Sequence, residues 1–352
     1  MPEQTTSIPV NIVTGFLGSG KTTLLQRLLC SPTLADTAVL VNEFGEVGLD
    51  HHLLQRIDDE IVLLQSGCLC CTIRGDLSAA MRNLYTRRES GAIQPFRRLV
   101  VETTGLADPV PILSTVMSEP MLRHHFRLGN VVTTVDAVNG PSHLDRQPES
   151  AKQAAVADRI VITKTDLAAA NDVAELRQRL RRLNPAAPTL EITPNSAVDP
   201  DALLTRDLYD LTGRADEVRR WLAIENEKAA AETQQHRHVD VNRHDARIHA
   251  FCLRFAKPLD WTAFGIWLTM LLHRHGTDVL RVKGMLNVTS SPGPVVVHGV
   301  QHLVHPPNHL PHWPDDDHSS RIVFIVRGLS RAAIGRSLNA FARLGSPAME
   351  KA

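Results

Sequence analysis

Gly15-Phe16-Leu17-Gly18-Ser19-Gly20-Lys21-Thr22 stands between an apolar run, Pro9–Thr14, and a helical pattern, Lys21–Leu29. The stretch fits G-x-x-x-x-G-K-[ST] in the strand–loop–helix setting that the pattern requires. Glycines there let the backbone wrap a phosphate with its N–H groups, and the helix N-terminus adds a favourable dipole. Lys21 would neutralise β- and γ-phosphate oxygens, and the Thr22 hydroxyl would ligate Mg²⁺. Gly15, Gly18, Ser19, Gly20, Lys21, Thr22 and Thr23 are therefore the candidates for holding a nucleoside triphosphate.

Outward from this loop, strand-like and helix-like runs alternate. Strands are expected at Pro9–Thr14, Thr37–Asn42, Ile61–Gln65, Leu99–Thr103, Asn130–Asp136, Arg159–Thr163 and Thr189–Thr193. Helices are expected at Lys21–Leu29, Asp76–Glu89, Ser150–Val156 and Asp172–Leu183. The strands are rich in Val, Ile and Leu with little polar alternation, as in a parallel sheet covered on both faces. Beyond Gly213 the composition turns polar, and a second pattern starts at Arg247. It comprises strands at Ile248–Phe255, Val279–Val288, Val295–His302 and Arg321–Val326, with helices at Asp260–His273 and Arg331–Arg343. The fold class is thus α/β: a P-loop NTPase domain with a mainly parallel sheet covered by helices, followed by a smaller α+β C-terminal domain. The expected boundaries are 1–213 for the P-loop domain, 214–246 for a polar His-containing linker and 247–352 for the C-terminal domain. The helix bearing Trp261, Phe264, Trp267, Leu268 and Leu271 reads as the core face of that second domain.

Composition narrows the function. With 352 residues, two domains are the prior; Lys+Arg and Asp+Glu both number 38, so there is no basic excess to drive nucleic-acid binding. No apolar run approaches the roughly 18–20 residues of a spanning helix. The first residues lack a basic segment ahead of an apolar one, so a cytoplasmic chain without membrane partners is expected. Five cysteines are present, and three crowd into four positions, Cys68, Cys70 and Cys71. Of 17 histidines, 12 lie between His236 and His318.

Three further stretches carry chemistry. Thr163-Lys164-Thr165-Asp166 follows a strand, and its Asp can accept two hydrogen bonds from the N1–H and 2-amino group of guanine, which adenine cannot supply. A site built on such polar partners can discriminate by about 10⁴–10⁵. Thr163, Lys164 and Asp166 are the base-reading candidates, although the usual motif has Asn where Thr163 stands. Leu99–Glu102 is an apolar strand ending in an acid three residues before Gly105. Glu102 there would face the phosphate loop and help hold Mg²⁺, while the Gly105 N–H meets the γ-phosphate. Lys21, Glu102 and Gly105 are the catalytic candidates. Leu106 follows Gly105 where a water-positioning Gln would be useful, so slow intrinsic hydrolysis is expected.

Gly67-Cys68-Leu69-Cys70-Cys71 offers soft thiolate ligands, suited to Zn²⁺, Cu(I) or iron–sulfur centres. Three cysteines leave one position of a tetrahedral zinc site for a carboxylate, a water or another protein, which suits a carrier. The alternative is a cysteine-rich turn that packs without metal. Asn42–Gly48 occupies the position of a loop that senses the γ-phosphate. Its two carboxylates could serve Mg²⁺, the thiolate-bound ion or merely solvent, with Glu43 the candidate for Mg²⁺ and Glu46 the candidate for the thiolate-bound ion.

GFLGSGKTT, NEFGEVGLD, GCLCCT, ETTGLADP and TKTDL, in this order, resemble the CobW-type GTPases of the SIMIBI class, most of all its zinc chaperones. Pro258-Leu259-Asp260, Leu280–Gly284 and Gly299-Val300-Gln301 are similar to that family's C-terminal domain. The resemblance implies a GTP-dependent carrier that loads zinc from the CxCC motif into client metalloenzymes, turning GTP and water into GDP and phosphate. It also admits a cobalt-handling factor for cobalamin synthesis or an activator of nitrile hydratase. A Thr at the position of Thr163 occurs within the family, so guanine selectivity rests on Asp166. Two other readings stand beside it. A non-catalytic metal store would draw on His236, His238 and His244 and on His298, His302, His305, His309 and His312. An ordinary signalling GTPase would have no use for three clustered thiols. Cys30 and Cys252 are expected to be buried and inert. Arg281 and Lys283 read as an exposed strand face or a contact to client or nucleotide.

Overall fold

β-Branched and leucine-rich runs with no polar alternation build the N-terminal sheet. In the computed structural model, which describes residues 7–41, 54–56, 61–64, 69–72, 76–205, 248–289 and 291–344, this sheet has nine strands. They are β1 (Ile8–Gly15), β2 (Thr37–Val41), β3 (Leu54–Arg56), β4 (Ile61–Leu64), β5 (Leu69–Thr72), β6 (Arg98–Glu102), β7 (Phe126–Asp136), β8 (Arg159–Thr163) and β9 (Thr189–Glu191). Their order is β3-β4-β5-β2-β6-β1-β7-β8-β9. Every pairing from β5 across to β9 is parallel. The edge strands β3 and β4 pair antiparallel, as do β4 and β5. The sheet is therefore mainly parallel, and its carboxyl ends gather on one edge, where open α/β sheets bind ligands.

The helices are α1 (Lys21–Leu29), α2 (Leu77–Glu89), α3 (Val110–Ser118), α4 (Pro120–His125), α5 (Gly140–Arg146), α6 (Pro148–Val156) and α7 (Ala170–Leu183). Leu24, Leu25, Leu28 and Leu29 of α1 share a buried core with Val13, Val39, Val100, Val132 and Val161 of five strands. Three helices, α3, α4 and α5, fall where the sequence reading placed none. Each carries Pro in its first turn (Pro111, Pro120 and Pro141), where the missing N–H costs nothing.

The second fold is antiparallel. Strands β10 (Ile248–Phe255), β11 (Val279–Leu286), β12 (Val295–Val300), β13 (Leu303–Val304), β14 (Asn308–His309) and β15 (Ser320–Arg327) form a six-stranded sheet in the order β10-β15-β11-β12-β13, with β14 on β12. Helices α8 (Trp261–His275) and α9 (Arg331–Leu344) supply Phe264, Trp267, Leu268, Ile334 and Leu338 to one core with Val282, Val297, Ile322 and Phe324. Asp260 caps α8 by accepting the Ala263 N–H at 2.7 Å.

The chain divides into two compact units, 1–179 with 187–210, and 180–186 with 211–352. The expected linker, 214–246, lies outside the described residues. No helix among the described residues is long and apolar enough to cross a membrane. Arg281 and Lys283 correct the sequence reading: both are buried, because β11 is covered on its two faces at all eight positions. Cys30 is also corrected, being exposed at the end of α1, and Cys252 is half-buried.

Candidate nucleotide and metal site

The loop after β1 is shaped by backbone that only glycine adopts freely. Gly18 and Gly20 have φ of +70° and +87°, and Gly20 is the residue before α1. Ser19, buried, shares a hydrogen bond with Thr134 Oγ1 of β7 at 2.6 Å. Lys21 Nζ folds back over the loop and donates to the Phe16 carbonyl at 3.3 Å. The Phe16 ring lies 4.6 Å from that of His143 on α5. The loop is thus preformed, with α1 opening directly behind it.

Glu102, at the carboxyl end of β6, is buried, and its Oε1 accepts the Thr22 hydroxyl at 2.6 Å. A hydroxyl and a carboxylate are hard oxygen donors, the set that suits Mg²⁺. Beyond Glu102 the chain runs against the phosphate loop. A Cβ on Gly105 would stand 2.7 Å from the Leu17 amide nitrogen, so only glycine permits the approach. Thr103 N–H donates to the Val13 carbonyl at 3.0 Å and Thr103 Oγ1 to Thr14 Oγ1 at 2.8 Å. Helix α6 braces the same segment. Gln153 donates from Nε2 to the carbonyls of Gly105 and Ala107 at 3.2 and 2.9 Å, and Lys152 pairs with Asp108 at 2.6 Å. The Gln153 Nε2 is therefore spent on backbone.

At the end of β8, Thr163 Oγ1 donates to the Ser19 carbonyl at 2.8 Å. This contact accounts for a Thr where the usual motif has Asn: the side chain ties the Thr163–Asp166 segment to the Gly15–Thr22 loop, and a hydroxyl suffices. Lys164 follows in the left-handed region at φ +56°, and Asp166 lies exposed in the short 3₁₀ turn Thr165–Leu167. Gly15, Gly18, Ser19, Gly20, Lys21, Thr22, Glu102, Gly105 and Thr163 converge along this edge; Thr23 is exposed on the first turn of α1.

The described part of the cysteine segment, Leu69–Thr72, is a strand. β5 runs through Cys70 and Cys71, which pair in register with Val39 and Leu40 of β2 and with Val62 and Ile61 of β4. Cys68, Glu43 and Glu46 lie outside the described residues. No group of three or more His, Cys, Asp or Glu among the described residues is arranged to hold a metal ion.

Residues 9–191 match the family model described as CobW/HypB/UreG, nucleotide-binding domain, and residues 248–342 match the cobalamin synthesis protein cobW C-terminal domain. The chain belongs to the CobW family. It is 33% identical to the zinc chaperone YjiA of Escherichia coli over 90% of this chain and 93% of that protein. It is 29% identical to the zinc-regulated GTPase metalloprotein activator 1 of Schizosaccharomyces pombe, over 80% of this chain and 72% of that protein. The crystal structure of Zn(II)-bound YjiA GTPase from E. coli superposes with a TM-score of 0.72, at 31% identity, over 95% of this chain and 99% of that one.

In this CobW-family chain the sequence reading missed five residues at the site. Thr134 and Gln153 are buried polar residues whose partners are distant in sequence, so no local pattern marks them. The Lys152–Asp108 pair is equally non-local. Asp136 had a signal: like Glu102, it is an acid closing an apolar strand.

Proposed function

We propose that this CobW-family chain is a GTP-hydrolysing zinc carrier, which binds zinc through Cys68, Cys70 and Cys71 and passes it to client metalloenzymes in a cycle tied to hydrolysis. One register carries the reading. Val41, the last residue of β2, pairs with Glu102 on one side and with Thr72, next to Cys71, on the other. Neighbouring strands lie about 4.8 Å apart, so the backbones of Thr72 and Glu102 are separated by about 10 Å. The cysteine strand thus ends level with the nucleotide-facing carboxylate, and Val41 between them is the residue that precedes Asn42–Gly48 in the sequence.

The roles follow from the donors. Gly15–Thr23 cradles the phosphates, with Lys21 on their charge, and Thr163–Asp166 reads the base. Mg²⁺ held by Thr22, Glu102 and Glu43 would draw charge off the β- and γ-phosphate oxygens. Zinc is the cargo, with Glu46 the candidate carboxylate to complete the thiolate site. The two relatives named for zinc favour it over cobalt. Slow intrinsic turnover fits a segment in which Leu106, exposed, stands where a water-positioning Gln would be useful.

Magnitudes constrain the transfer. A structural zinc site holds its metal by about 10–16 kcal/mol, whereas allosteric couplings are about 1–3 kcal/mol. Nucleotide state therefore biases an exchange in which client ligands replace thiolates one at a time; it does not expel the ion into water. Replacing Cys68, Cys70 and Cys71 together by Ala tests the reading. Stoichiometric zinc binding should vanish while guanine nucleotide still binds. Undiminished tight zinc binding in that variant would refute it.

A further inference from the structure

Asp136 closes β7, between the phosphate-loop strand and the base-loop strand, and its side chain is 1% exposed. Four donors surround the carboxylate. Oδ1 accepts the N–H groups of Val138 and Asn139 at 2.7 and 3.2 Å. Oδ2 accepts Asn139 Nδ2 at 3.1 Å and Lys164 Nζ at 2.6 Å. Burial pushes the Asp136 carboxyl up, and these hydrogen bonds, led by that from Lys164, outweigh it and hold the carboxyl below its usual range. The group is therefore an anion at neutral pH.

Its partner is the unusual residue of the base loop. Lys164 is one of two non-glycine residues with positive φ among the described residues, at φ +56° and ψ +32°. Such a backbone is uncommon outside glycine and asparagine and persists where its surroundings fix it. Lys164 is also the hinge between Thr163, tied to the phosphate loop, and the 3₁₀ turn that presents Asp166. The Ala137 N–H meets the Thr163 carbonyl at 2.9 Å, so β7 and β8 leave the sheet together. A buried anion thus anchors the cation whose backbone sets where Asp166 points.

We propose that Asp136 is a positioning residue for guanine recognition, acting through Lys164 to aim Asp166 at the base. The proposal rests on the reading of Thr163–Asp166 as the base loop. It does not concern the phosphates: both oxygens of the Asp136 carboxylate are engaged by Val138, Asn139 and Lys164, so GTP and GDP are held through it to the same extent.

Inosine triphosphate, which lacks the 2-amino group, separates positioning from general support. The full-length native chain should bind GTP well ahead of both inosine triphosphate and ATP. Asp136→Asn keeps the shape and the backbone hydrogen bonds but loses the charge. A hydrogen bond to a charged group is worth enough that GTP and GDP affinities should each fall about tenfold, with their ratio kept. The GTP-to-inosine triphosphate preference should shrink toward unity. Lys164→Met, which removes the cation from the other side of the pair, should give the same shrinkage, and the double variant should be no worse than either single one. Equal losses for GTP and inosine triphosphate, or additive losses in the double variant, would overturn the positioning role. A native chain that binds GTP and ATP alike would refute the base-loop reading itself, and this proposal with it.

Discussion

Thr163 shows how much a single hydroxyl does at this site. Its Oγ1 donates to the Ser19 carbonyl, one residue before the left-handed Gly20. Thr163→Val keeps the shape and strands that buried carbonyl. Leaving a buried acceptor unmet costs about 1–3 kcal/mol. Denaturant unfolding should show a loss of that size, and affinity for both GTP and GDP should fall; a variant unchanged in both would remove the tie from the account. Residues of this kind were only partly legible in the sequence. The glycines, Lys21, Thr22 and Glu102 were found because their chemistry is local to a motif and to a strand end. Thr134 and Gln153 were not, since a buried hydroxyl or amide declares itself only through partners far along the chain. Cys30 was misjudged because apolar neighbours in sequence say little about the residue that follows a helix, which here faces solvent.

At the level of elements, the strands of the parallel sheet were legible because burial on both faces writes an unbroken Val/Ile/Leu run. Arg159–Thr163, Lys21–Leu29 and Ile248–Phe255 fall where the pattern put them. The Pro-initiated helices between 110 and 146 were not, because proline in the first turn interrupts the pattern without interrupting the helix. β11 misled in the other direction. Alternation of Arg281 and Lys283 with Leu280 and Val282 reads as one wet face, yet every position is covered. Packing in that second core is the more predictable part. Trp267 is buried among Phe264 and Phe324, and its Nε1 donates to Ser337 Oγ at 2.9 Å. Trp267→Ala should lower stability by about 3–5 kcal/mol in denaturant titration. Binding of nucleotide should survive at concentrations of denaturant below the transition, since the candidate phosphate and base residues all lie in the first unit. A loss under 1 kcal/mol would mean that the helix α8 does not anchor this core.

At the scale of the whole chain, the account joins two chemistries that have no intrinsic need of each other. Phosphate oxygens want N–H groups, Lys21 and hard cations; thiolates want a soft one. The sheet brings them together, through the shared register of Val41 with Thr72 and Glu102. Reciprocity then follows from linkage: if GTP changes zinc affinity by some factor, zinc must change GTP affinity by the same factor. Couplings of about 1–3 kcal/mol correspond to roughly 5- to 150-fold, within easy reach of competition titration. The most direct test is the zinc affinity of the full-length chain, measured against a chelator of known strength, with a non-hydrolysable GTP analogue and then with GDP. The two affinities should differ by at least about fivefold, with the matching factor in nucleotide affinity when zinc is varied. Equal zinc affinities in the two nucleotide states would contradict a carrier driven by GTP.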